Sequence, residues 1–318
     1  MGALVASLAD LGYPETVGAV LARAGRVAVD RLRAAADTRA GEGARFRDPA
    51  LIFRDAGLEP DPWQAEYVRS SARQNLVLCS RQVGKSTAAA VRAWKRARYH
   101  ERSLTLIVSP SLRQSQETFR KVQEVRAASS AMACTVMESE RESALQLELS
   151  NGSRIVALPG KERTIVGYSG VSLLILDEAA RIPDATYNAV RPMLSISRGD
   201  LDVLSTPLGK RGFFWREWDA EEKRRNGGQP ASWRRWRVTA TECPRHGAEF
   251  LASELESLGD AWYRQEYFCE FLDVLGAAFA PEAILAAMDD ELQGLALDLW
   301  QELRPAGMVA EELRGLRL

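Results

Sequence analysis

Residues 76–87 read LVLCSRQVGKST, and residues 173–180 read LLILDEAA. The first is an apolar strand running into a Gly-Lys-Ser turn, and the second is an apolar strand ending in two adjacent carboxylates. A phosphate loop has the pattern G-x-x-x-x-G-K-[ST], with backbone N–H groups around the phosphates and a Lys on the terminal ones. Cys79 stands where the first Gly belongs, Ser80, Arg81, Gln82 and Val83 make the body of the loop, and Gly84, Lys85, Ser86 and Thr87 match its end. Gly84 lets the backbone approach a phosphate closely. Lys85 supplies a cation to a γ-phosphate, and the Ser86 hydroxyl suits Mg²⁺. The stretch from Thr87 to Tyr99 has no Gly or Pro and predicts a helix whose N-terminus points free N–H groups at an anion.

Residues 173–176 form the continuous apolar run of a strand buried on both faces. Asp177 at its end is placed to hold Mg²⁺, and Glu178 to polarise an attacking water as general base. The competing structural explanations are a chance Gly-Lys-Ser turn and two acids capping a helix before Ala179 and Ala180. Strand, loop and carboxylates in this order point to an ATP-hydrolysing site, with ATP and Mg²⁺ as cofactors.

Strand candidates at 76–80, 104–109, 173–176 and 201–205 each precede a helical stretch. The expected fold is therefore α/β, with a mainly parallel sheet flanked by helices. Asn151-Gly152 between 145–149 and 154–158 predicts a hairpin ahead of the carboxylate strand. A further strand is expected at 236–240, followed by an aromatic helix carrying Trp262, Tyr263 and Tyr267. Functional residues then collect at the C-terminal ends of the strands.

Four further elements accompany the loop. Residues 61–67 read DPWQAEY, in which Trp63 and Gln64 can stack on a base and read its edge. Residues 80–82 are Ser-Arg-Gln, residues 165–170 are IVGYSG, and residues 204–207 are LSTP. Together these motifs resemble the ATPase domain of the large terminase subunit of tailed double-stranded DNA bacteriophages, over roughly residues 50–285. The loop is similar to that family's deviant Walker A pattern, LLILDEAA to its Walker B strand, Ser-Thr-Pro to its coupling motif and Pro-Trp-Gln to its adenine motif.

The resemblance implies a RecA-like P-loop NTPase. Trp63 and Gln64 would contact adenine, Arg81 would be a cis Arg near the γ-phosphate, and Ser205 and Thr206 would couple the phosphate state to movement. A trans Arg from a ring neighbour is also implied, and the residues do not choose between Arg154 and Arg163. Residues 46–275 would form the ATPase core, with 231–275 as a small lid. The implied partners are double-stranded DNA, a portal protein, a small terminase subunit and further copies of the chain in a ring, in the cytoplasm of an infected bacterial host. Relatives carry a nuclease after the ATPase. Residues 276–318 present no strand ending in Asp, so a helical tail or linker without a nuclease site is expected there.

Composition narrows the class without naming it. The 318 residues carry 42 basic and 43 acidic side chains, so only a local surface can be basic enough for a polyanion. No apolar run is long enough to span a membrane, and no basic segment precedes an apolar core at the N-terminus. Cys79 in the loop strand argues for a reducing compartment. Cys243 and His246 are one ligand pair without a second, so no zinc site is expected. The basic clusters Lys223–Arg225 and Arg234–Arg237, interleaved with Trp233 and Trp236, are read first as a solvated helix and an amphipathic strand. Val17, Val20, Leu21, Ala24 and Ala28 share one helical face, so residues 1–45 are expected to be a helical extension, joined through a linker at 38–43. Two rival functions remain: a helicase-like nucleic-acid translocase, which would want a second RecA-like lobe, and a nucleotide-binding scaffold without turnover.

Overall fold

The structure is a computed structural model that describes residues 40–133, 139–160 and 167–272, together with Val29, Asp37 and Ile165. The chain divides into two compact units, 1–272 and 273–318, and every described residue lies in the first. The apolar face expected at Val17–Ala28, Arg163 and the tail at 276–318 all lie outside the described residues.

The helices are α1 (Leu51–Asp55), α2 (Pro62–Arg69), α3 (Lys85–Tyr99), α4 (Leu112–Ala133), α5 (Asp184–Val190), α6 (Gly212–Asn226) and α7 (Ala248–Phe268). The strands are β1 (Gln74–Cys79), β2 (Leu104–Ser109), β3 (Ser139–Glu142), β4 (Gln146–Leu149), β5 (Arg154–Pro159), β6 (Leu173–Asp177), β7 (Asp200–Ser205) and β8 (Arg234–Val238). They form one eight-stranded sheet in the order β3-β4-β5-β2-β6-β7-β1-β8. From β5 to β8 every neighbouring pair is parallel, and β3 and β4 add an antiparallel edge. With helices on both faces, this is the RecA-like α/β architecture.

The apolar strands alternate between two cores, as the pleat demands. Val77, Cys79, Leu173 and Ile175 face the layer that holds α2, α3 and α4. Leu76, Leu78, Leu174 and Leu176 face the layer that holds α5 and α6. Helix α3 is buried almost all round, and its run of Ala88, Ala89, Ala90, Ala93 and Ala97 lets it lie close to the sheet. The Asn151-Gly152 turn joins β4 and β5 as an antiparallel pair, with Gly152 at φ +77°.

One expectation at the domain edges changes. Residues 40–43, expected within a linker, are helical and continuous with 44–47. Glu42 there accepts from Arg98 and from the Tyr99 hydroxyl, the latter at 3.1 Å, so charge pairing holds a segment whose glycines suggested a break. Within the segment expected as a lid, 231–275, Arg234–Val238 form the edge strand β8, paired with β1 throughout its length. Trp233 and Trp236 are buried, because strand pairing turns them into the two cores. Arg234 lies over Trp236 at 5.1 Å and Arg235 over Trp218 at 4.5 Å, so much of this basic cluster is spent on ring faces and on Glu222.

A buried polar network ties this frame together. Asp202, on β7, is fully buried and accepts from Arg92 Nε at 2.8 Å, Tyr67 Oη at 2.9 Å and Asn75 Nδ2 at 2.6 Å. Arg92 also donates to the Ser70 carbonyl at 2.6 Å. One carboxylate thus joins α2, β1, α3 and β7.

Candidate active site

The strand order sets the geometry of the site. β7 lies between β1 and β6, so the phosphate loop and the carboxylates leave the sheet two strand spacings apart, about 10 Å. A lysine can bridge that gap, and Lys85 does: its Nζ lies 2.6 Å from Glu178 Oε1. Ser205, at the end of β7, occupies the position between them. Its hydroxyl accepts from the Ala180 amide at 3.0 Å.

The loop needs less glycine than its consensus suggests. Cys79, in the first glycine's place, is the last residue of β1, in ordinary extended backbone. The left-handed positions are Gln82, at φ +56°, and Gly84, at φ +82°. A Cβ at Gly84 would meet Gln64 Nε2 at 2.5 Å, so glycine is required there for space as well as conformation. The first amides of α3 follow directly and have no partner inside the helix. Together they form a concave array of N–H groups suited to a phosphate.

Cys79 is buried, and burial pushes its thiol up to about 12, with the Lys85 ammonium opposing. Burial likewise raises the Cys269 thiol well above its ordinary range. Both are expected to resist iodoacetamide at pH 8 in the native protein and to react once it is unfolded. Mass spectrometry of the two peptides checks this, and rapid native labelling of Cys79 would contradict the loop's packing.

Asp177 is buried at the end of β6. Thr118 Oγ1 donates to its Oδ2 at 2.9 Å, and the Ser86 hydroxyl hydrogen-bonds to the same carboxylate. Burial raises its pKa above the ordinary value, the Lys85 ammonium opposes, and Glu178 raises it further. For Lys85 burial favours the neutral form, but Glu178, then Cys79 and Asp177, outweigh it and keep the ammonium charged. A buried carboxylate beside a hydroxyl is a hard-oxygen donor set that fits Mg²⁺. Glu178 itself adopts a left-handed backbone, φ 57° and ψ 43°. For a non-glycine residue that costs on the order of 1–2 kcal/mol and directs the side chain into the cleft.

The other sequence-identified residues are distributed around this centre. Trp63 is buried on α2. Gln64, read as a reader of a base edge, is occupied: its Oε1 accepts from the Asp61 amide at 2.8 Å, and its Nε2 donates to the carbonyls of Val83 at 3.3 Å and Gly84 at 3.2 Å. It caps α2 and braces the loop. Arg81 lines the cleft but pairs with Glu266 at 2.5 Å. Arg154 begins β5 at the sheet's N-terminal edge, opposite the loop, and is exposed. Cys243 and His246 belong to no group of three or more His, Cys, Asp or Glu among the described residues.

Three residues escaped the sequence reading. Arg181 donates to Glu178 Oε2 at 3.2 Å and to Thr206 Oγ1 at 2.8 Å, joining the candidate base to the end of β7. Its spacing of three from Glu178 was the available signal. Thr118 comes from α4, with nothing local to mark it. Arg245 clasps Asp61 at 2.6 Å and the Val83 carbonyl at 3.2 Å, bracing the loop from the far end of the sequence. Arg81, Gln82, Lys85, Gln114, Glu178, Arg181 and Thr206 enclose a cleft of about 270 Å³.

The chain is similar to known proteins over most of the described domain. Residues 76–285 match the family model described as terminase large subunit, T4likevirus-type, N-terminal. The large terminase subunit of Thermus phage G20c is 28% identical, over 82% of this chain and 58% of its own length. That of Thermus virus P23-45 is 27% identical over the same shares. The chain therefore spans little more than half the length of these relatives. Among solved structures, the ATPase domain of the Thermus phage P74-26 large terminase superposes with a TM-score of 0.59 at 24% identity, over 69% of this chain and 97% of that one. The large terminase of another thermophilic bacteriophage superposes at 0.53 with 13% identity, over 67% of this chain and 53% of that one. The phosphate loop after Cys79 and the Asp177–Glu178 pair facing it across β7 both fall within the matched residues, and the chain belongs to the terminase large subunit family.

Proposed function

We propose that this chain is the ATP-hydrolysing motor of phage DNA packaging, converting ATP and water to ADP and phosphate and using the cycle to translocate double-stranded DNA into a capsid. The observation that carries the reading is the meeting of Lys85, Glu178 and Arg181 around one cleft at the C-terminal strand ends, with Asp177 buried beside them at the end of β6. The thermophilic bacteriophage terminase of 13% identity, similar in fold, has been solved in complex with ADP and with ATP-gamma-S.

The N–H groups of the loop and of the first turn of α3 receive the β- and γ-phosphates, with Lys85 on the terminal one. Ser86 and Asp177 would hold Mg²⁺, which supplies charge neutralisation at the phosphate oxygens. Before nucleotide enters, both Glu178 carboxylate oxygens are occupied, Oε1 by Lys85 and Oε2 by Arg181. Phosphate draws both cations toward itself and frees a carboxylate oxygen to accept a proton from water. Arg181 then lies between the base and Thr206, so loss of the γ-phosphate is felt at the end of β7. Trp63 would stack on adenine, while Gln64 would transmit its position to the loop through the Val83 and Gly84 carbonyls. A trans Arg, Arg154 or Arg163, would come from a neighbour in a ring, with the portal and small terminase subunit as further partners in the host cytoplasm. Among the described residues no helix is long and apolar enough to cross a membrane.

Steady-state ATP hydrolysis by the chain, with and without double-stranded DNA, tests the proposal. Turnover that rises several-fold with DNA is expected. No turnover at concentrations where the chain self-associates, with DNA present, would leave a nucleotide-binding scaffold instead.

A further inference from the structure

The N-terminal edge of the sheet carries a charged pocket for which the ATP chemistry has no use. It opens where β1 and β7 begin, at the opposite strand ends from the ATP cleft. Its volume is about 320 Å³, and Arg73, Arg191 and Arg198 line it together with Gln74 and Ser195. Among the described residues no carboxylate lines it. Arg191 alone of the three arginines has an acidic partner among those residues, Glu217 at 3.3 Å. The chain balances 42 basic against 43 acidic residues, so three guanidinium groups around one acid-free hollow are a local excess of charge.

The backbone that carries them is constrained. Arg73 donates to the Arg198 carbonyl. The Ser197 hydroxyl donates to the Val171 carbonyl at 2.5 Å, and the Gly199 amide to the Leu194 carbonyl at 3.3 Å. Arg198 takes a left-handed backbone, φ 49°, which residues with a Cβ usually avoid. Glycine follows it because the Val171 carbonyl leaves no room for a Cβ at 199. Like charges gathered on a fixed frame repel one another, and an oxyanion that accepts from all of them removes that repulsion.

The other face of the same strand start is cationic too. Lys95, Arg96, His100 and the buried Arg92 line a pocket there with Asp200, which Arg96 already engages. Burial, then Arg92 and Arg96, pushes the Lys95 ammonium down to about 8. Positive potential therefore extends across the start of β7.

We infer that Arg73, Arg191 and Arg198 form an oxyanion site for a phosphate group, separate from the ATP cleft. Their planar forks suit a tetrahedral oxyanion, and the Ser195 hydroxyl is a further donor. Glu217 gives up its share of Arg191 on binding. The phosphate is a free ion or one link of a nucleic-acid backbone, and these two sources make different demands. A free ion needs the pocket alone, whereas a backbone also meets the cations across β7. The inference does not rest on the ATP-site reading.

The test is Arg73→Gln with Arg198→Gln in the whole chain, at two exposed positions outside the ATP cleft. Calorimetry gives binding of inorganic phosphate and of Mg-ATP-gamma-S, and fluorescence anisotropy gives binding of a double-stranded DNA at several salt concentrations. Phosphate held by the ATP cleft is common to both proteins, so the difference between them reports the new site. The variant is expected to lose about tenfold or more in affinity for phosphate, for DNA or for both, since charge-assisted hydrogen bonds are removed. A loss for phosphate alone assigns the pocket to a free ion. A loss for DNA, with a log–log salt slope shallower by about 1.8, assigns it to a backbone. Phosphate and DNA binding both unchanged within about twofold overturns the inference. An equal loss of ATP-gamma-S binding also overturns it, because the site would then not be separate. Should the variant not fold, phenylglyoxal labelling of the wild type decides: phosphate or DNA should protect Arg73 and Arg198, and labelling unaffected by either overturns the inference. A wild type that does not bind ATP-gamma-S sinks the ATP-site reading and leaves this site to stand on its own result.

Discussion

Replacing Glu178 with Gln is expected to lower ATP turnover by about 10²–10⁴-fold, the range for loss of a positioned general base, while nucleotide binding survives. Geometry separates the two effects. Binding rests on the loop amides and Lys85, and Glu178 contacts Lys85 at 2.6 Å without belonging to the loop. The amide of Gln is nearly isosteric and its one oxygen can still accept from Lys85 or from Arg181, though not from both, and it cannot take a proton from water. Wild type and variant measured side by side, turnover by phosphate release and binding by calorimetry, check this. Turnover within about twofold of wild type would remove Glu178 from the chemistry. Loss of binding as well would mean that its contact with Lys85 organises the loop.

Asp202→Ala is the largest expected change in stability, a loss of about 3–5 kcal/mol. The Arg92 side chain is 5% exposed and Asp202 is fully buried, so truncation strands a guanidinium in the core. It also leaves the Tyr67 hydroxyl and the Asn75 amide without their acceptor. The Asp200 carboxylate, 4.0 Å from Arg92 Nη2, is the nearest replacement but already pairs with Arg96. Urea denaturation gives the value, with Glu59→Ala as a control. Glu59 pairs with Arg54 on the open surface, and its loss is expected to leave the midpoint unmoved. A change below about 1 kcal/mol for Asp202→Ala would show that water or Asp200 compensates.

The two carboxylate sites illustrate different kinds of information. Asp177 and Glu178 stand at the end of an apolar strand, and their chemistry follows from that local context. Asp202 stands within a strand that reads DLDVLS, where alternation alone predicts a surface position at one strand's edge. It is buried because α2 and α3 bring Tyr67 and Arg92 against it, contacts separated by more than a hundred residues. Gln64 shows a third case: its position in a Trp-Gln pair was legible, but its hydrogen bonds to Val83 and Gly84 depend on how α2 meets the loop.

Local sequence was enough to determine the loop, the carboxylate strand, the parallel strands and the Asn-Gly hairpin. Each is specified by apolar runs, turn residues and spacing within a dozen positions. Family likeness added the expectation of an adenine motif at Trp63–Gln64 and a coupling motif at Ser205–Thr206. Tertiary structure alone decided that β7 separates loop from carboxylates, that β8 is an edge strand of the same sheet, and that Arg245 and Glu266 contact the loop while Arg181 contacts Glu178. Long charged side chains carry no signal of the partner they will reach, because that partner is chosen by strand order and helix packing rather than by neighbours in the chain.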